Sequence, residues 1–219
     1  MVKFVITPEL YAKDPESSQL GKKIIGESIK LMAEIGFESF TFKKLGERIG
    51  SNESSLYRYF ENKHKLLLYL SSWYWSWIEY RMRFATANIA DPFEKLERGV
   101  AVVTETIIDD EATEHIDEAL LNNIIIAEFI KTLHTKEVDN ENSKGFFLIY
   151  KKVIYYLAAL IKDAAPGYKY PESLASNIVE GALHQHFLLG HFKTITNTEA
   201  TPSGFYLDMV RSLLKDKSL

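Results

Sequence analysis

TFKKLGERIGSNESSLYRYFENK, Thr41 to Lys63, is the stretch whose reading decides the rest of the chain. Thr41 is an N-cap whose hydroxyl can accept from an orphan amide, and Phe42, Leu45 and Ile49 follow at helical spacing. Gly50 ends that helix, because a residue without a Cβ takes the left-handed conformation at little cost and lets the chain turn sharply. The spacing then predicts a second short helix. Ser51 or Asn52 caps it, Leu56 and Phe60 form its buried stripe, and Ser54, Ser55, Tyr57 and Arg58 are left on its outer surface. Glu61, Asn62 and Lys63 start a third helix, with Asn62 as its cap.

Two short helices joined by a glycine turn, the second with a polar and aromatic outer face, meet the needs of a helix-turn-helix, whose second helix enters the major groove. Thr41, Ser55, Tyr57, Tyr59 and Lys63 are donors on one side of the turn, where phosphates would pass, and Lys63 adds a point charge to the positive end of a helix. Glu53 admits two readings. Its carboxylate can accept from the N4 amino group of cytosine, or it can serve only as a favourable first-turn charge.

The run from Ile24 to Leu67 resembles the DNA-binding domain of the tetracycline-repressor (TetR) family. The resemblance is carried by IGF at 35–37, Thr41, LGERIG at 45–50, LYRYF at 56–60 and NK at 62–63, and it covers the first third of the chain. Ser51 stands where the family usually has an apolar residue, often valine, and Glu53 where it more often has a neutral or basic one. The resemblance implies that Thr41, Phe42, Lys43, Ser51, Asn52, Glu53, Ser54, Ser55, Tyr57, Arg58, Tyr59 and Lys63 contact DNA. Ser54, Ser55, Tyr57 and Arg58 would face the groove, with Arg58 in reach of guanine. It also implies a homodimer on a palindromic double-stranded operator, acting as a repressor that lets go when a small molecule enters its body.

Composition is compatible with this. The 219 residues, 46% of them hydrophobic, suffice for a full core, and the absence of cysteine excludes disulfides, thiolate metal sites and a cysteine nucleophile. The first 65 residues hold 11 basic and 9 acidic side chains, net +2, and the remainder 15 and 21, net −6. An acidic body confines non-specific attraction for nucleic acid to the small basic head. The opening MVKFVITPEL does not read as a secretion signal and no apolar run reaches a membrane span, so a cytoplasmic location without membrane contact is expected.

Apolar periodicity predicts an all-α architecture of nine or ten helices: an arm at 1–16, a helix-turn-helix domain at 17–65 and a ligand-binding and dimerisation domain at 66–219. The arm, with Pro8 and Pro15, shows no packed face of its own; it is a disordered end or a DNA-contacting arm carrying Lys3 and Lys13. One long helix from Lys63 to about Ala90 joins head to body. Its aromatic stripe suggests a pocket wall of Tyr74, Trp77, Tyr80 and Phe84, with Arg81 to orient a largely apolar effector. Broad apolar surfaces on helices near 146–164 and 173–192 suggest a dimer interface through Phe146, Val153, Leu157, Ile178, Leu183 and Phe187. Glu180, His184 and His191 share a helix face, read as packing residues rather than metal ligands, and His115 in the acidic run 109–118 reads as a surface residue. No catalytic or cofactor motif is present, which leaves a helical ligand-binding or catalytic protein without DNA binding as the alternative to a regulator.

Overall fold

A computed structural model describes residues 4–108, 113–198 and 200–215. Among them are ten α-helices and no strand: α1 Gln19–Ser39, α2 Phe42–Ile49, α3 Glu53–Tyr57, α4 Lys63–Thr86, α5 Pro92–Thr104, α6 Glu118–Leu133, α7 Val138–Ser143, α8 Leu148–Ala164, α9 Pro171–His191 and α10 Ser203–Leu214. The all-α reading and its three-helix head hold. Helix α7 lies in the polar stretch EVDNENSKG that reads as a connector; its two first-turn carboxylates, Asp139 and Glu141, suit the positive end of a helix. Two compact units form. One takes the chain through Tyr74 together with Ile107–Leu148, the other Trp75–Thr106 together with Ile149 onward, so the division does not fall at residue 65.

In the first unit, α1 packs on α2 and on α6. Ile24, Ile25, Ile29, Phe40, Leu45, Leu56 and Phe60 are fully buried and make the small core of the head. Gly26 permits the approach of the turn before α6, since a Cβ there would stand 2.5 Å from the carbonyl oxygen of His115. His115 is not a surface residue. Its ring is mostly buried and its Nε2 lies 2.8 Å from Glu16 Oε1. Residues 109–112 of the acidic run lie outside the described residues; Asp117 caps α6 by accepting from Leu120 N–H, and Glu118 is fully buried. His64, in the first turn of α4, pairs in the same way with buried Glu141 of α7, at 2.8 Å.

The described part of the supposed arm is a packed strap. It makes 3-10 turns at Pro8–Leu10 and Pro15–Ser17, and each proline presets the φ of its turn. Phe4 sets its ring edge against Trp73, Tyr11 does the same with Tyr69, and Ile6 and Leu10 are buried. Ala12 N–H donates to Tyr59 O at 2.8 Å. Its buried residues, Ile6, Leu10 and Pro15, fall at unequal spacing and leave no periodic trace, which is why the strap reads as an unstructured end. Lys3 lies outside the described residues; Lys13 stands over the ring of Tyr59 and is not extended as an arm.

In the second unit, α5 packs on α9 and α10. A Cβ on Gly99 of α5 would come within 2.7 Å of Leu160 Cδ1, so α8 closes tightly on the same helix. This corrects the expected dimer interface. Val153, Leu157, Ile178 and Leu183 are buried inside this unit and Phe146 inside the first, so they cannot also meet a second copy. Phe187 is half-buried, its ring 4.5 Å from that of His191 and 6.0 Å from that of Phe192. Glu180 accepts a hydrogen bond from Tyr150 across α8 and α9, and His184 is exposed.

His186 gives this unit a pH response. Its Nε2 lies 3.2 Å from Thr104 O and so carries the proton, and burial pushes the imidazole below its usual range while that bond opposes the shift. The unfolded chain, with an ordinary histidine near about 6.5, therefore takes up a proton first as pH falls. Stability from this group is complete above that value and is lost on acidification toward the lower folded value. Melts at pH 7.5 and 5.5 should show a smaller acid-induced drop in His186→Gln than in the parent.

Candidate nucleic-acid interface

The interface is built from short-range caps. Thr41 accepts from Lys44 N–H at 3.2 Å and starts α2; Gly50 ends it at φ 69°, and Ser51 N–H closes the turn on Gly46 O at 2.9 Å. Gly46 is needed there, because a Cβ would approach the carbonyl oxygen of Ser51 to 2.7 Å. Asn52 then caps α3. Its Oδ1 accepts from Ser55 N–H at 2.9 Å and also from the hydroxyls of Ser54 and Ser55, at 2.8 and 2.6 Å. Thr41, Lys43, Asn52, Glu53, Ser54, Tyr57 and Arg58 are exposed, and Ser51 and Ser55 are half-buried.

Three residues of the expected DNA-contacting set have other tasks. Phe42 is buried with its ring 5.0 Å from that of Tyr57, so it supports the surface from beneath. Tyr59 is buried too, and its hydroxyl bonds Ser18 Oγ at 2.8 Å. Lys63 does not present its ammonium to a phosphate in this structure. The end of α1 leaves carbonyls without intrahelical partners, and Lys63 Nζ donates to Phe37 O and Glu38 O, both at 3.0 Å, with Phe40 O at 3.4 Å. Other cations of the head serve the same kind of purpose. Lys23 donates to Ile49 O at 2.9 Å, Lys44 to Ser39 O at 2.8 Å, and Arg48 holds Glu34 with two guanidinium nitrogens and Glu27 with a third. Sequence reasoning missed these fastenings, since each joins residues five to 26 positions apart by a side-chain direction that spacing does not encode.

Comparison with known proteins fits this geometry. Residues 24–70 match the family model described as bacterial regulatory proteins, tetR family. This segment is a DNA-binding domain of the tetR type. The chain's fold is similar to that of AibR, solved in complex with isovaleryl coenzyme A and operator DNA, at 18% identity and a TM-score of 0.56, covering 88% of this chain and 98% of that one. It is similar to the TetR family transcriptional regulator PfmR from Thermus thermophilus, at 16% identity and 0.58, covering 88% and 97%. A third likeness is to a putative transcriptional regulator from Saccharomonospora viridis in complex with choline, at 13% and 0.60, covering 91% and 98%. No curated protein matches in sequence. The matched residues form a helix-turn-helix DNA-binding head, and no helix among the described residues is long and apolar enough to cross a membrane.

The residues expected to wall one effector pocket are divided. Tyr74, in the first unit, is buried and donates to Asn122 Oδ1 at 2.8 Å. Trp77, in the second, is buried under the guanidinium of Arg81, which lies 4.7 Å from the ring centroid and bonds Glu105 at 2.5 Å. Tyr80 and Phe84 stack on each other at 6.5 Å, and Phe84 is 76% exposed. The run alternates inside and outside because it follows one helix around its axis. Cavities of about 720 and 530 Å³ in the second unit are lined by other residues, the larger by Gln185, Ile195, Thr196, Thr198, Thr201 and Phe205 among others.

Proposed function

We propose that this protein is a one-component repressor that binds a palindromic operator as a homodimer and is released by a small, largely apolar effector. The observation that carries the reading is the exposed face of α3 with Ser54, Tyr57 and Arg58, beside Lys43 on α2, in a head where Lys23, Lys44, Arg48 and Lys63 are tied to its own backbone and carboxylates. Base-reading groups are thus concentrated where a groove would be met. Since α3 is five residues long, one head covers few base pairs, and two copies on half-sites about 34–36 Å apart would supply the missing selectivity. For the contact between copies, the outer faces of α8 and α9 are the candidates. Tyr155 is 60% exposed there and Phe192 52%. Tyr155→Glu should give monomers by light scattering, and a parent that is itself monomeric removes the dimer from the proposal.

An effector is supported by analogy with relatives solved with isovaleryl coenzyme A and with choline. Helix α4 contributes residues to both compact units, Lys63–Tyr74 to one and Trp75–Thr86 to the other, which makes it the natural carrier of a signal. Titration by gel shift against the DNA upstream of the chain's own coding sequence tests the whole reading. Arg58→Ala should lose about 1–3 kcal/mol of preference at one base position, whereas Lys43→Ala should weaken all sequences alike and lower the salt slope by about one unit. Parent-like binding by both variants would remove the assigned face.

A further inference from the structure

We infer that Glu53, oriented by Tyr57, determines specificity by selecting cytosine at one position of each half-site. The inference rests on the DNA-binding reading above and goes beyond it by naming the base. Capping does not occupy this carboxylate, since Asn52 Oδ1 accepts from Ser55 N–H and from both serine hydroxyls, and serving as a first-turn charge leaves its oxygens open to a base. The Glu53 carboxylate instead turns toward the residue one turn on. Tyr57 Oη donates to Glu53 Oε1 at 3.2 Å, and the Tyr57 ring is itself braced by buried Phe42, 5.0 Å away. A chain of contacts from the head's core thus reaches an exposed carboxylate and restricts its rotamers, so part of the ordering cost of a base contact is met before DNA arrives.

The charge itself decides which base is accepted. Glu53 is the first residue of the short recognition helix, the end that approaches base edges, and there it meets the dense negative charge of the duplex. Only a donor on a base edge offsets that repulsion. Cytosine presents its N4 amino group in the major groove with no acceptor beside it on the same base, adenine presents N6 next to the acceptor N7, and guanine and thymine present acceptors. With Arg48 held by Glu27 and Glu34, and Lys23, Lys44 and Lys63 on backbone carbonyls, few cations of the head remain to mask a misplaced carboxylate. Glu53 therefore also lowers the affinity for DNA of the wrong sequence.

The test is selection from a random-sequence duplex pool with the full chain, in parent, Glu53→Ala, Glu53→Gln and Tyr57→Phe forms. The parent should enrich cytosine at one position per half-site by roughly fivefold or more. Glu53→Ala should relax that position alone and bind random DNA more tightly. Glu53→Gln should move the preference toward adenine, which a glutamine pairs through N6 and N7, a gain that no loss of folding could imitate. Tyr57→Phe should keep the cytosine but enrich it less. A Glu53→Ala motif identical to the parent's overturns the inference and leaves the regulator reading standing; a parent that enriches no motif at all overturns both.

Discussion

Phe60→Ala should cost the folded protein about 3–5 kcal/mol and abolish operator binding. Phe60 is fully buried, and its ring meets Tyr69 edge-on at 5.3 Å. It sits where the recognition helix ends, its N–H donating to Leu56 O at 3.1 Å, two residues before the cap of α4. Removing the ring empties a space between the end of α3 and Tyr69 of α4, which cannot close without moving the exposed face of α3. Stability and function should therefore fall together. Urea unfolding followed by helicity, with gel shifts at a temperature where the variant remains folded, separates the two losses. A cost below about 1 kcal/mol would show that the site relaxes freely and that α3 is not held from beneath.

The head was legible in the sequence because its signals are local. Thr41, Gly50 and Asn52 act within three or four residues of themselves, so residue type and spacing suffice to predict two helices and the turn between them. What those signals omit is direction. Tyr57 and Tyr59 are two residues apart, yet one lies on the outer face and the other is buried with its hydroxyl on Ser18. Lys63 looks like a phosphate ligand until the carbonyls at the end of α1 are seen around it. The apolar stripes of α8 and α9 were equally visible, but periodicity does not distinguish a face that meets a second copy from one that meets α5, and the close approach at Gly99 decides for α5. His115 reads as a surface residue because polar groups in an acidic run usually are; it is instead half of a pair with Glu16, far along the chain, as Glu141 is with His64.

Leu10→Ala separates the two accounts of the N-terminal segment most sharply, with an expected cost of about 2–5 kcal/mol. If residues before α1 were an unstructured end, the same change would stay within about 0.5 kcal/mol. Leu10 is 1% exposed, so its truncation leaves a cavity and not merely a lost surface contact. The strap can hold this side chain because ordering it costs less than its length suggests. Pro8 and Pro15 narrow the unfolded ensemble, Asp14 Oδ1 accepts from Glu16 N–H at 2.9 Å, and Glu16 reaches His115. Deleting the chain through Tyr11 would remove both the burial and the ordering cost, so its penalty should be smaller than the sum of truncations at Phe4, Ile6 and Leu10. The functional consequence follows from Ala12, whose N–H donates to Tyr59 O, and from Lys13 over the Tyr59 ring. Tyr59 directly follows Arg58, so a loosened strap releases the end of the recognition helix, and Leu10→Ala should weaken operator binding while Arg58 and Glu53 remain untouched. Thermal melts and gel shifts on the same preparation check both parts, and a parent-like melting temperature would return this segment to the status of a loose end.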